Sequence, residues 1–137
     1  MIVASIAPDA HSANVGAWLL TVEGALAISD LAALEVSAVI SRAFRTGRLD
    51  EAAARHALSD FDALRSKCER LANSADNFSA AEAFVRDFST KLAAADALHL
   101  AGAKGAGARL ATCDKRLARA AVASLVPVVD LAVDPPK

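Results

Sequence analysis

Three acidic side chains in this 137-residue chain stand where the neighbouring sequence offers them almost nothing polar. Glu35 is the only charge between Leu31 and Ser41, in a stretch that is apolar nearly all the way round when wound as a helix. Asp96 is the only acid between Asp87 and Asp114 and lies in Leu-Ala-Ala-Ala-Asp-Ala-Leu-His-Leu-Ala, residues 92–101. Asp114 follows Arg-Leu-Ala-Thr-Cys and precedes Lys-Arg. An ionised carboxylate in apolar surroundings needs a cation or several donors, because burying it alone is costly or forces it to take up a proton. Each acid has an ordinary structural explanation. Glu35 suits an internal salt bridge, with Arg42 on the same stripe as one partner. Asp96 suits a cap or a helix-dipole role, and Asp114 an N-cap. Taken jointly, a shared divalent cation accounts for all three. Carboxylate oxygens with open water positions suit Mg²⁺ or Mn²⁺, which can activate a water and neutralise charge developing on a phosphodiester.

The residues around the acids fit phosphoryl chemistry. Thr112 falls two residues before Asp114 on the same side of an expected strand, where its hydroxyl can hold a carboxylate or a phosphate. His99 lies three residues after Asp96, on the same helical face, and such a histidine on an apolar face is expected to be a satisfied core residue. Arg42, Arg45 and Arg48 are the only charges between Val36 and Leu49, and Lys115, Arg116 and Arg119 follow Asp114. Arg42, Lys115 and Arg116 are the candidates for meeting phosphates. With one Trp, five Phe and no Tyr, recognition by stacking bases on rings is not expected, which leaves the backbone phosphates. There is no Gly-rich phosphate loop, H-E-x-x-H, paired C-x-x-C or G-x-S-x-G motif, so nucleotide triphosphatase, zinc protease and serine hydrolase chemistry lack support. Cys68 and Cys113 match neither a zinc nor a disulfide pattern and are expected to be small buried hydrophobes in a reducing cytoplasm.

The elements that must position these residues read as an alternation of strands and helices. Helices are expected over residues 12–22, where Trp18 should be buried, and over 29–46, capped by Ser29 or Asp30 and ended by Gly47. Further helices are expected over 50–67, 77–88, 92–104 and 115–124. Strands are expected over 25–28, weakly over 69–72, over 109–112 and over 126–129, with Asp114 therefore at the carboxyl edge of a sheet, where open α/β folds bind ligands. This is a mostly helical α/β pattern with a short, mainly parallel sheet flanked by helices. The composition, 55% hydrophobic and 23% charged at a net charge of −1, is that of a folded chain with one core. No stretch reaches the ~18 apolar residues needed for a membrane span, and no basic residue precedes the apolar run that follows Met1. One domain over residues 1–137 is expected, with residues 134–137 as a frayed tail.

The segments Ser29-Asp-Leu-Ala-Ala-Leu-Glu-Val-Ser-Ala, residues 42–49, Ala95-Asp-Ala-Leu-His-Leu-Ala and Leu110-Ala-Thr-Cys-Asp-Lys-Arg-Leu-Ala-Arg-Ala-Ala resemble the PIN-domain ribonucleases. More narrowly they resemble the VapC toxins of bacterial toxin–antitoxin pairs. The resemblance implies a PIN-like three-layer sandwich and an acidic pocket for Mg²⁺ or Mn²⁺ made by Glu35, Asp96 and Asp114. It also implies metal-dependent hydrolysis of RNA, a homodimer, and a VapB-like antitoxin whose C-terminal segment blocks the pocket. The family pattern opens with a strand ending in an Asp, and no such motif precedes the Trp18 helix. Asp9 lies too close to that helix to replace it. The favoured expectation is that the first strand and its acid are missing, as though the start lay a few codons late, leaving core and site underfilled. In a second register residues 1–4 are the strand itself, with Ala4 or Ser5 in the acid's place.

These observations support a metal-dependent endoribonuclease toxin, with Thr112 assisting the three acids. They also admit a non-catalytic PIN-like module whose acidic pocket takes a basic partner segment, and a helical adaptor in which the acids are only caps.

Overall fold

Ile2–Ser5, with β-branched residues in its first half, forms a strand that lies in the middle of a five-stranded sheet. The structure, a computed structural model, describes residues 2–5 and 12–132. Asp9 and the expected tail at 134–137 lie outside them. In chain order the elements are β1 (Ile2–Ser5), α1 (Ser12–Leu19), β2 (Leu26–Ser29), α2 (Asp30–Arg45), α3 (Glu51–Arg65) and β3 (Glu69–Leu71). They continue with α4 (Ala75–Arg86), α5 (Ala94–Gly105), β4 (Arg109–Thr112), α6 (Lys115–Ala123) and β5 (Val128–Asp130). The expectation of a missing first strand is therefore corrected in favour of the second register, shifted by one residue. Ile2 and Val3 pair with Leu26 and Ala27 of β2, and residues 2–5 pair in step with Arg109–Thr112 of β4.

All four strand pairings are parallel, and the order is β3-β2-β1-β4-β5. The chain steps one way from β1 to β3 and the other way from β3 to β5. With right-handed crossovers this places α1 to α3 over one face and α4 to α6 over the other, a three-layer α/β sandwich. The direction reverses between β1 and β4, and the carboxyl ends of those two strands border the crevice where doubly wound sheets bind ligands. Because α5 runs back to feed β4, its first turn sits at that same edge, beside the start of α6.

Beneath the edge the core is built largely of small residues. Leu100, Leu110 and Leu117 are fully buried, and Ala27, Ala97, Ala101, Ala103, Ala111 and Ala121 let the helices approach the sheet closely. Several boundaries move for local reasons. α1 stops at Leu19 because Thr21 folds back, its N–H and hydroxyl both donating to the Trp18 carbonyl, and Trp18 is half-buried rather than buried. α4 starts early because Ser74 and Asn77 cap it reciprocally. α5 starts at Ala94, two residues late, with Leu92 buried ahead of it. β5 starts only at Val128, since Pro127 has no N–H and uses its carbonyl to accept from Leu110. Cys68 and Cys113 are free thiols, half-buried rather than buried. Among the described residues no helix is long and apolar enough to cross a membrane.

Candidate active site

α2 begins at the sheet edge because Ser29, the last residue of β2 and 1% exposed, accepts the Ala32 N–H at 3.0 Å. Asp30, the alternative cap, instead takes Arg70 of β3 in a two-point ion pair at 2.7 and 3.0 Å, which ties the sheet's outer strand to α2. One turn further on, Glu35 faces inward and meets His99 of α5, with Oε2 and Nε2 2.7 Å apart. The partner of Glu35 is therefore His99 and not Arg42. His99 is 2% exposed, and its Nδ1 has no hydrogen-bond partner among the described residues. An Nε2–H donated to Glu35 leaves a bare Nδ1 lone pair in the neutral ring. The core-histidine expectation for His99 holds as to burial, and it omitted the carboxylate that the ring holds in place.

Asp96 occupies the first turn of α5, but it caps nothing. The N-cap there is Ala93, which offers no side-chain bond, and Asp96 accepts no hydrogen bond from a described residue. Its carboxyl is pushed above the usual range, first by burial and then by the negative charge of Asp114, with Glu35 adding to the effect and His99 and Arg116 opposing it. Three acids thus share one electrostatic neighbourhood. Asp114 does cap α6, as its ordinary reading expects: Oδ1 accepts the N–H groups of Arg116 and Leu117 at 2.6 and 3.1 Å. Its own N–H donates to Thr112 Oγ1 at 3.0 Å. Thr112, 1% exposed, therefore holds the Asp114 backbone, not a carboxylate.

Of the expected phosphate contacts, Lys115 and Arg116 open α6 beside Asp114, and the charge of Arg116 reaches Asp96. Arg42 is exposed near the end of α2, about 10 Å along the helix from Glu35. Ser5, the last residue of β1, stands in register with Thr112, and Ile2–Ser5 contains no acid. Among the described residues no three His, Cys, Asp or Glu groups form a ready-made metal cage. Mg²⁺, however, usually keeps several waters and takes only one or two carboxylates from the protein. Asp96, with no donor and two acids acting on it, and Asp114, with its Oδ2 accepting no described hydrogen bond, fit that requirement.

His99 was the site residue the sequence undervalued, although its i, i+3 spacing from Asp96 was the signal. Arg119 was visible only as one of the bases after Asp114, and Lys91, which lines a cleft beside α6 with it, carried no signal because the two come together only through the fold.

The sequence matches the PIN domain family over residues 1–123. No curated protein matches it. Among solved structures it is similar to FitAcB from Neisseria gonorrhoeae, at 17% identity and a TM-score of 0.69, covering 96% of this chain and 98% of that one. It is similar to a protein from Pyrobaculum aerophilum at 25% identity and a TM-score of 0.66, covering 95% and 89%. It is also similar to VapC20 from Mycobacterium tuberculosis, a sarcin-ricin loop cleaving toxin, at 18% identity and a TM-score of 0.66, covering 88% and 95%. With the match spanning nearly the whole sequence and the fold agreeing, the chain belongs to the PIN domain family.

Proposed function

We propose that this chain is a metal-dependent endoribonuclease toxin of the VapC type, cutting RNA phosphodiesters at the carboxyl edge of the sheet. The observation that carries the reading is Asp96: a half-buried carboxylate with no described donor, its ionisation opposed by Asp114 and Glu35. Such a group is unfavourable for the fold and suited to a cation. Asp96 and Asp114 would hold Mg²⁺ or Mn²⁺, with Glu35 as third acid, oriented by His99 as carboxylate ligands commonly are by an outer hydrogen bond. The bound ion would supply an activated water and neutralise charge on the phosphate. Thr112 fixes the Asp114 backbone, and Arg116 and Lys115 sit where phosphate oxygens would arrive. Arg42 serves a more distant part of the RNA.

By analogy with the complexes of similar proteins, a VapB-like antitoxin would cover the edge, the working form would be a homodimer, and its place would be the cytoplasm. The acid-free end of β1 favours a second reading, a PIN-like module that takes a basic partner segment without cutting. Both follow from one assay. RNA incubated with the protein in Mg²⁺ or Mn²⁺ should be cut, slowly because one acid is absent, and chelator should stop it. No cutting with either metal would favour the non-catalytic module, and cutting that persists in chelator would overturn the metal-dependent reading.

A further inference from the structure

The same helix that Asp114 caps builds a second, differently charged feature. Arg116, Arg119, Ala120 and Ala123 follow one another on one face of α6 and wall a cleft of about 550 Å³. Its other side is Phe84 and the loop from Asp87 to Lys91. Lys91, Arg116 and Arg119 line it against one acid, Asp87, so it is basic in a chain of net charge −1.

Asp87 is already engaged. It accepts the Ser89 N–H at 3.0 Å and the Ser89 hydroxyl at 2.6 Å, bonds that hold its carboxyl below the usual range. Thr90 Oγ1 bonds the Phe84 and Asp87 carbonyls at 2.9 Å each, so the loop is pinned to the end of α4. That pinning delivers Lys91 in a left-handed conformation, φ +52°, which a residue with a side chain adopts only where its surroundings impose it. Lys91 makes no ion pair or hydrogen bond among the described residues. Arg119 uses Nε on the Lys115 carbonyl at 3.2 Å, and its terminal nitrogens make no described bond. The other large cleft, of about 580 Å³ between α2, α4 and α5, is lined instead by Leu31, Phe78, Val85 and Leu98.

We propose that the basic cleft binds the phosphate backbone of single-stranded RNA, so that a strand cut at the acids continues along α6. The proposal rests on the nuclease reading and deepens it. From Arg116 to Ala123 the helix rises about 10 Å, room for about three phosphates at the ~3.4 Å spacing of a stacked strand. Among the described residues Phe84 is its only aromatic lining residue and carries the Lys104 ammonium 5.7 Å from its ring centroid. Contacts are therefore to phosphate and indifferent to base.

The test is the salt dependence of binding of a fluorescent 12-nucleotide RNA in chelator, for the full chain, Lys91→Gln/Arg119→Gln, and Arg48→Gln/Lys67→Gln. The last pair removes the same charge from exposed sites elsewhere. A single strand loses about 0.7 of a unit in log–log salt slope per phosphate contact. The cleft variant should therefore show a slope smaller by about 1.4, with an unchanged melting temperature, and the control pair no change. An unchanged slope in the cleft variant, or an equal fall in the control, overturns the cleft while the nuclease reading stands. Single-stranded DNA of the same length should lose the same slope in the cleft variant, because the contacts are to phosphate; a loss seen with only one of the two strands overturns phosphate-only contact. No binding by the full chain overturns the cleft and leaves the nuclease reading to the cleavage assay.

Discussion

Two helix beginnings lie side by side at the carboxyl edge of the sheet, and they are built in opposite ways. α6 starts on Asp114, whose carboxylate accepts two backbone N–H groups. α5 starts on Ala93, with no side-chain bond to its first turn, and the acid that could have served, Asp96, accepts no described hydrogen bond and is held close to two other acids. A cap is worth about 1 kcal/mol. At α6 the chain takes that stabilisation, and at α5 it forgoes it and adds repulsion. Local rules are broken where a site needs a group left unsatisfied, so the contrast sets an acid that caps its helix beside one that does nothing for its own.

The largest expected effect breaks the contrast at α5. Asp96→Asn should lower metal-dependent RNA cleavage by about 100-fold or more while the protein remains folded, as read by cleavage rates and circular dichroism. Removing the third acid comes next. Glu35→Gln should cost about 10- to 100-fold in rate, and an unchanged rate would reduce the Glu35–His99 pair to a structural contact.

At α6 the two duties of Asp114 can be separated. Asparagine caps as well as aspartate, so Asp114→Asn should lose cleavage with little change in stability, whereas Asp114→Ala should lose cleavage and about 1 kcal/mol of stability by denaturant unfolding. The smallest effect is a gain. The Asp96 carboxyl is raised in the folded state above its ordinary 3.8, so between those two values the folded chain binds more protons than the unfolded one. Its contribution to stability therefore falls as pH rises through that window. Asp96→Asn should melt at a higher temperature than the parent at pH 7, and the difference should vanish below 3.8, where both states carry the proton.

The sequence made β4, α6 and the Asp114 cap legible because each carries its own local signal: an apolar run, then an acid, then an amphipathic stripe. It pointed to Glu35 and Asp96 because a charge in apolar sequence is visible without a structure. It misjudged β1, whose four residues are too short for an alternation to register and whose strand character comes from being flanked by β2 and β4. The one partner it offered for Glu35, Arg42, failed for a similar reason. Arg42 is near in sequence, while His99 is 64 residues away and comes to hand only when the fold brings α5 against α2. The α4–α5 loop was illegible altogether, since the conformation of Lys91 is set by bonds from Ser89 and Thr90 to the residues before them.

The central claim is that Asp96 and Asp114 form a carboxylate pair that takes a divalent cation, and thermal unfolding with and without millimolar Mg²⁺ at pH 7 tests it without reference to any RNA. A ligand present at about 10 to 100 times its dissociation constant stabilises a fold by about 1 to 3 kcal/mol. The parent chain should therefore melt at a higher temperature in Mg²⁺, while Asp96→Asn and Asp114→Asn should not respond. An equal rise in the Asp96→Asn variant, or no rise in the parent, would contradict the account.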